Sequence, residues 1–557
     1  MKEQIRQVVI VTCAELYSTE VIVELTRPNS EHGDFATNVA MQLAKPLQRN
    51  PRDIAQEITT AMQDNEYIQQ VGVAGPGFIN ITVDNKVLVG AVNAAKQQPL
   101  SGMKILVEYS DPNPLKPLHA GHLYTTLVGD AIARIIQNAG AETIRLNYGG
   151  DVGLHVGKAM WAVIQHCGGE DVDAVKAVEH GEVGQWMGKR YAEGHAAYED
   201  NESSKAEIVV ANKKVYALHS ENDHESNFAQ IYWYLRDTSY GLFTDLYKRL
   251  QVVEFDRYIP ESEVTPLGVS TVQKQLENGV YEKSDGAIIF DGEKHRLFTN
   301  VFINSEGLPT YAAKDVGLSL IKWNDYKFDQ SIIITANEQK QYMQVVIKSI
   351  EQFAPEPALR TRHLTHGTLK MQGGVKMSSR LGNVLMANDI LDAAAVAGAA
   401  SGQATSPEIV LGAIKYALVK TRIGGDVIYD PEESAAMEGN SGPYLQYAHA
   451  RAKSILNKST LAVSDLSEDV ALDTMERTLL SKVTEYPEII EVATRELAPH
   501  HICSYLYELA QTFNRFYEQS KVINDPREEI RIKLVEYYAQ TLKNGLNLIG
   551  IHAPEKM

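Results

Sequence analysis

The sequence predicts an α/β protein: a parallel, doubly wound sheet, with a small α+β unit before it and an all-helical unit after it. Three observations predict this. A strand–helix–strand succession runs from Lys104 to Asn147, which is the pattern of a βαβ unit with a right-handed crossover. The string His119-Ala120-Gly121-His122 sits where the first of those strands has given way to the helix. After Pro443 the apolar residues fall at helical spacing to the end of the chain.

In chain order, Ile5, Val9, Cys13 and Leu16 mark a first helix. Asp34 to Asn38 leads into a second through Val39, Met41, Leu43 and Ala44, which Pro46 is expected to end. Asn50-Pro51 opens a third, with the proline suited to a first helical turn. Gly75-Pro76-Gly77 is a turn before a strand from Phe78 to Val83. Ile105, Leu106, Val107 and Tyr109 form a buried strand broken by Asp111-Pro112-Asn113-Pro114. Leu123, Leu127, Ile132, Ile135 and Ile136 outline a long helix that stops at Ala139-Gly140, and Thr143 to Asn147 is the next strand. Residues from about 160 to 295 are polar and less regular, with an acidic, serine-containing stretch from Glu199 to Glu207, and read as an insertion. Ala287 to Phe290 and Ser331 to Ile334 are expected to resume the sheet. Ile502, Tyr505, Leu506, Leu509, Phe513 and Phe516 outline one amphipathic helix near the end. The expected units are 1–100, 101–385 with the insertion at about 160–295, a helical connection 386–435, and 436–557.

A chain of 557 residues is too long for one core, so about three or four domains are expected. No apolar run approaches ~18 residues, so no membrane span is expected, and the N-terminus lacks a secretory pattern. Cys13, Cys167 and Cys503 are isolated, which implies neither a disulfide framework nor a thiolate zinc site and fits a reducing cytoplasm. The formal charge of −18 argues against whole-surface attraction to nucleic acid, but phosphate contacts need only local basic patches.

Ligands of parallel sheets bind beyond the carboxyl ends of the strands, and His119 and His122 are expected there. Backbone N–H groups and the macrodipole favour anions at a helix N-terminus. Two imidazoles three residues apart share a face, and can donate to phosphate oxygens as charge builds in a transition state. Gly121 is expected to let a nucleotide approach the backbone. The plain alternative is that the histidines only cap the helix. Far downstream, Gln372-Gly373-Gly374-Val375 precedes Lys376-Met377-Ser378-Ser379-Arg380, a cationic loop whose Lys376 suits a departing pyrophosphate.

The two strings resemble the HIGH and KMSKS motifs of class I aminoacyl-tRNA synthetases. Ser379 stands where that family has its second lysine, and in arginine-specific members lacking it a lysine just before HIGH is thought to compensate; Lys116 holds that place. The likeness to arginyl-tRNA synthetases covers nearly the whole chain. It includes His32 to Asn38, Val107 to Asn113, Lys116 to His122, Gly150-Asp151-Val152-Gly153, Gly439 to Arg451, and the closing helices from Ser504 to Met557. The resemblance implies a Rossmann-like catalytic domain, an extra N-terminal domain on the tRNA elbow, and an all-α anticodon-binding domain. It implies L-arginine, tRNA(Arg) and ATP with Mg²⁺ as partners, no resident metal, a cytoplasmic location and a monomer. By position, His119, His122, Lys376 and Lys116 are catalytic, and Gly121, Met377 and Ser378 join His119, His122 and Lys376 around ATP.

A guanidinium is planar, always charged and carries five donors, so its pocket should hold carboxylates and a fixed hydroxyl. Tyr311 and Asp315 are four apart on a predicted helix and match the family's side-chain-binding pair. Asp285 is a further acidic candidate, Asn113 and Gln339 match positions that hold the α-amino and carboxylate groups, and Glu108 and His122 complete the expected arginine set. Tyr342 stands where the family usually has histidine and is left out. The alternatives are another class I synthetase such as the cysteinyl enzyme, which needs thiolates that are not arranged here, and a catalytically silent RNA-binding paralogue, in which His119, His122 or Lys376 would usually be lost. A small-molecule nucleotidylyltransferase would have no use for the helical end.

Overall fold

The computed structural model describes residues 1–93, 98–372, 385–400, 406–461 and 464–557. Lys376 and its neighbours from Gly373 to Val384 lie outside the described residues, so the expectations for Lys376, Met377 and Ser378 are not located in it.

The first unit is a three-stranded antiparallel sheet covered by helices. Strand Phe78–Val83 lies between Phe35–Thr37 and Ile68–Ala74. Ile5, Val9 and Cys13 of the helix Lys2–Tyr17 are buried, but Leu16 at the same spacing is 41% exposed. Pro46 does not end its helix; it sits in the last turn of Val39–Leu47. Asn50 caps the helix Pro51–Met62 as expected, its side chain accepting the Arg52 N–H at 2.9 Å.

The central sheet has five parallel strands. Their spatial order is Thr361–His366, Gln330–Ala336, Lys104–Glu108, Glu142–Gly149 and Arg257–Pro260. In chain order this is 5-4-1-2-3, so the winding reverses between Lys104–Glu108 and Gln330–Ala336. A crevice opens beyond the carboxyl ends of strands at such a point. Alternate residues feed the two faces. Ile105, Val107, Ile332 and Ile334 pack under the helix Ala120–Asn138, while Leu106, Leu146 and Ile259 pack with Val264, Leu318 and Phe328 on the other side.

The stretch expected to be irregular is mostly helical. Helices Leu154–Cys167, Val183–Asp200, Glu202–Glu221 and Asn227–Arg249 surround a core of their own, with Met160, Val215, Phe228, Tyr232 and Leu235 buried in it. The sheet resumes earlier than expected, at Arg257–Pro260. Ala287–Phe290 is not part of it but the middle strand of a separate antiparallel sheet with Glu282–Ser284 and Asn300–Ile303. A four-residue apolar run has the same pattern in either sheet, and its neighbour two residues upstream makes a hairpin the cheaper partner.

The connection 386–435 returns to the core through a short parallel pair, Leu369–Met371 with Val427–Tyr429. The closing helices Gly442–Leu456, Thr474–Thr484, Tyr486–Glu496, His500–Gln519 and Glu528–Leu548 pack around Leu506, Leu509, Phe513 and Tyr538, with the Phe513 and Tyr538 rings stacked at 3.9 Å. The first unit docks on these helices. Asp34 accepts from Arg477 Nη2 at 2.6 Å, from Ser481 Oγ at 2.7 Å and from its own unit's Val83 N–H at 2.9 Å, and Arg27 pairs with Glu488 at 2.7 Å. No described helix is long and apolar enough to cross a membrane.

Candidate active site

The helix that follows the first sheet strand begins with a reciprocal cap made of its two histidines. His119 is the N-cap, and its Nδ1 accepts the Gly121 N–H at 3.1 Å. His122 Nδ1 reaches back to accept the His119 N–H at 3.3 Å. A ring nitrogen that accepts carries no proton, so each imidazole keeps its proton on Nε2. The rings stack at 3.8 Å, so the two Nε2–H donors are presented together at the positive end of the helix. Burial and the charge of Lys116 push the His119 pKa down to about 4, and burial and His119 push His122 well below its ordinary value. Both are neutral donors at pH 7. The cap thus fixes the tautomer and leaves both Nε2–H groups free of it, so capping does not compete with a phosphate-binding role. Gly121 is required by the cap itself: a Cβ there would lie 2.8 Å from His119 Cε1.

Leu385 and Ala387 are stitched to this site. The Ala120 N–H donates to Leu385 O at 2.8 Å and the Ala387 N–H to Leu118 O at 3.0 Å, so the two sequence motifs are joined through backbone bonds a few residues beyond the second. Lys116 holds its ammonium 5.2 Å above the Tyr191 ring of the inserted helices.

In the crevice where the winding reverses lies a cavity of about 450 Å³. Its wall brings together Glu108, Asn113, Tyr311, Asp315 and Gln339 from the predicted set. Three elements supply them: the end of the first strand, the helix Tyr311–Tyr326, and the turn after Gln330–Ala336. Tyr311 and Asp315 share one face of their helix, as their spacing predicts. Asn113 Oδ1 accepts the Gly150 N–H at 2.8 Å, so the amide N–H₂ is the group left to donate. His155 donates from Nε2 to Gly150 O at 2.7 Å and accepts from Tyr311 Oη at Nδ1, 3.3 Å away, which orients that phenol.

Among the wall residues outside the predicted set are Asp111, Glu261 and Tyr342. With Glu108 and Asp315 this makes four carboxylates, and two of them are cancelled. Lys322 Nζ donates to Glu108 at 2.8 Å, and Lys314 Nζ donates to Glu261. All four of these side chains are buried. Asp111 and Asp315 have no such cation among the described residues. Burial raises the Asp315 pKa to about 7, opposed by the hydrogen bond that Tyr342 Oη donates to it at 2.6 Å. Burial and the nearby Glu108 raise Asp111 well above the carboxylate range. Without a cation, burial therefore favours the protonated forms of Asp111 and Asp315, and a cation entering the cavity would favour their charged forms.

Two expected arginine contacts are not in the wall. Asp285 is exposed at the turn of the hairpin Glu282–Phe290, with φ 47°. An Asp-Gly pair is what a two-residue hairpin turn requires, and that need accounts for it. His122 lies with His119 at the helix start rather than around the cavity.

A second candidate surface lies on the closing helices. Arg451 sits 5.0 Å from the Tyr447 ring and 5.8 Å from the Tyr517 ring, and both tyrosines are about two-fifths exposed, at 38% and 41%. Asn514 bonds Tyr444 Oη at 2.8 Å beneath them. Exposed rings flanking a guanidinium suit unpaired bases, whose faces stack and whose phosphates need cations.

Comparison with known proteins gives consistent matches. The family model "tRNA synthetases class I (R), catalytic domain" matches residues 83–428, "Arginyl tRNA synthetase N terminal domain" matches 1–83, and "DALR anticodon binding domain" matches 445–557. An arginine–tRNA ligase of Treponema denticola is 29% identical over 98% of this chain and 96% of its own length. One of Porphyromonas gingivalis is 28% identical over 97% of both chains. Among solved structures, the arginyl-tRNA synthetase of Thermus thermophilus shares the fold over the full length of both chains, with TM-score 0.80 at 24% identity. That of Plasmodium falciparum gives 0.79 at 21%, over 100% of this chain and 99% of its own.

Proposed function

The chain belongs to the arginyl-tRNA synthetases of class I, an aminoacyl-tRNA ligase family, and on that premise we propose that it joins L-arginine to tRNA(Arg) at the site described above. The observation that carries this is the excess of carboxylate in the cavity. Glu108 and Glu261 already have lysines, while Asp111 and Asp315 await a cation. Arginine supplies one that cannot lose its charge.

In the first step an oxygen of the arginine carboxylate attacks the α-phosphorus of ATP and pyrophosphate leaves, forming arginyl-adenylate. Asn113 offers its amide N–H₂ to the substrate's α-carboxylate, with Gln339 at the cavity mouth beside the α-amino group. The Nε2–H groups of His119 and His122 donate to phosphate oxygens and hold them more strongly as charge builds. Lys116 and Lys376 are assigned to the departing pyrophosphate, with Met377 and Ser378 along the nucleotide. Lys116 leaves the Tyr191 ring to do so. ATP reacts as its Mg²⁺ complex, the ion carried on the triphosphate, with no protein ligand assigned to it. In the second step a ribose hydroxyl of the terminal tRNA adenosine attacks the adenylate carbonyl and AMP leaves.

The tRNA is held at two places. The Tyr447–Arg451–Tyr517 face receives anticodon bases, and the first unit meets the elbow. Asp34 acts in the second contact only indirectly, because it is spent on Arg477 and Ser481. We place the enzyme in the cytoplasm as a monomer of four units, 1–100, 101–385, 386–435 and 436–557; the three cysteines are unpaired, as a reducing compartment allows.

The decisive experiment is ATP–pyrophosphate exchange with each amino acid in turn, with and without tRNA. Arginine alone should support exchange, and only with tRNA present. Exchange with lysine would overturn the cavity assignment. Exchange with arginine but no tRNA would remove the tRNA requirement and leave the substrate standing.

A further inference from the structure

We propose that Asp111 is a second carboxylate of the guanidinium site, acting alongside Asp315. The proposal rests on the arginine reading above and adds a residue that its sequence counterpart did not suggest.

Asp111 lies just past the first sheet strand, in the wall of the cavity. Asn113, Gly150, Glu261 and His155 are close neighbours, since a Cβ on Gly150 would meet Asn113 Oδ1 at 2.7 Å, Glu261 Oε1 at 3.0 Å and His155 Cε1 at 3.1 Å. Asp111 and Asp315 line the same cavity, and Lys314 already neutralises Glu261 as Lys322 does Glu108. If Asn113 takes the α-carboxylate, Asp111 and Asp315 are the wall carboxylates left for the guanidinium.

The number of acceptors points the same way. A guanidinium presents five N–H donors along the edges of a plane. Asp315 already receives Tyr342 Oη on one oxygen, and Glu108 is engaged by Lys322. Asp111 receives the Tyr148 N–H at 2.8 Å on Oδ1, and no side chain donates to its other oxygen among the described residues. The backbone that carries it is unusual. Ser110 and Asp111 both adopt left-handed conformations, φ 78° and 47°, although neither is glycine. Such strain persists where surrounding structure over-determines it, and it gathers at ligand sites. Here it turns the Asp111 side chain back under the Tyr148 N–H, which fixes one oxygen and leaves the other to the cavity.

The competing view is that Asp111 only anchors this turn. Asp111→Asn separates the two. Asparagine tolerates the left-handed backbone and keeps an oxygen for the Tyr148 N–H, and it removes only the charge. In tRNA-supported exchange with the full chain, Asp111→Asn should raise the arginine KM about 30-fold and leave the ATP KM within about twofold. The inhibition constant of n-butylguanidine, which has the guanidinium and none of the α groups, should rise in parallel. Combined with Asp315→Asn the effects should be less than multiplicative, because both variants remove partners of one cation. Asp111→Gly, which relaxes the strained backbone, should show the same loss and guards against misfolding of the first variant. An arginine KM within about twofold of the parent would overturn the proposal. So would a raised arginine KM with unchanged butylguanidine inhibition, which would move Asp111 to the α-ammonium. Failure of the parent to respond to arginine at all would instead defeat the functional reading.

Discussion

The cavity and the tyrosine face meet cations and anions by opposite means. In the cavity, Glu108, Glu261, Lys314 and Lys322 are buried and mutually paired, and discrimination comes from the two carboxylates left over. On the closing helices, Tyr447 and Tyr517 are open to solvent and Arg451 is only half-buried beside them, so the face has little to desolvate. A buried charge without its partner is costly, so the cavity should discriminate sharply and tolerate few changes. An exposed stacking surface gains from each ring separately and is screened by salt, so it should lose affinity in small steps.

The contrast is tested first at its strongest point, the histidine pair at the helix start. His119→Ala or His122→Ala should slow adenylate formation about 100- to 1,000-fold, or roughly 3 kcal/mol or more, while arginine binding changes little. Single-turnover activation near the parental rate would show that the cap is only a cap. Next comes Asp315→Asn, expected to raise the arginine KM about 100-fold without altering the ATP KM. A loss of only a few-fold would mean that the cavity behaves like the open face, and the distinction would fail.

A third test uses pH. With a pKa raised to about 7, Asp315 is protonated below neutrality and charged above it. The folded chain therefore binds a proton that the unfolded chain has lost between the ordinary value of 3.8 and about 7, so this group favours folding at low pH and loses that contribution as pH rises through 7. Arginine needs the charged form, so its KM should rise about tenfold per unit as pH falls below 7. Tyr342→Phe removes a donor that favours the charge and should move the inflection upward. His119 and His122 are held neutral by burial and by Lys116, so no inflection near the ordinary histidine value should appear in the activation rate. A break near pH 6.5 in the single-turnover rate would contradict that assignment.

The same contrast explains what the sequence made readable. The central βαβ unit was legible because Ile105 to Val107 and the long helix after His119 have unambiguous periods, and the resemblance located Asn113, Tyr311, Asp315 and Gln339 in separate elements that the fold then gathers. Asp111, Glu261 and Tyr342 carried no local signal. Glu261 follows a short edge strand that had been read as part of the insertion, and its meaning depends on Lys314, which comes from another helix. Tyr342 departs from the expected residue type, and only its hydrogen bond to Asp315 shows what it does. Asp285 lies at a hairpin turn outside the cavity wall, since an acidic residue before glycine serves a turn as readily as a ligand. At Gly121 the structure adds a constraint that the sequence did not show: the His119 ring lies where a Cβ would be.

The smallest effect tests the open face. Tyr447 and Tyr517 flank Arg451, and Arg451 also donates to Tyr447 Oη at 3.2 Å and to Asn514 at 3.4 Å, so each group is held by the others yet none is buried. Arg451→Ala should raise the tRNA KM about 5- to 10-fold, with arginine and ATP constants unchanged at saturating tRNA. Tyr447→Leu should cost a similar amount, and Tyr447→Phe much less, because stacking needs the ring and not the hydroxyl. Salt separates charge from stacking. If Arg451 meets a phosphate, its loss lowers the slope of log Kd against log salt by roughly one contact, whereas Tyr447→Leu weakens binding at every salt concentration and leaves the slope as it was. Equal slopes for all three chains would place Arg451 against a base or in a purely structural role. A slope change in Tyr447→Leu would mean that the ring holds Arg451 in place, and the surface would then be a coupled site, closer in kind to the cavity than its exposure implies.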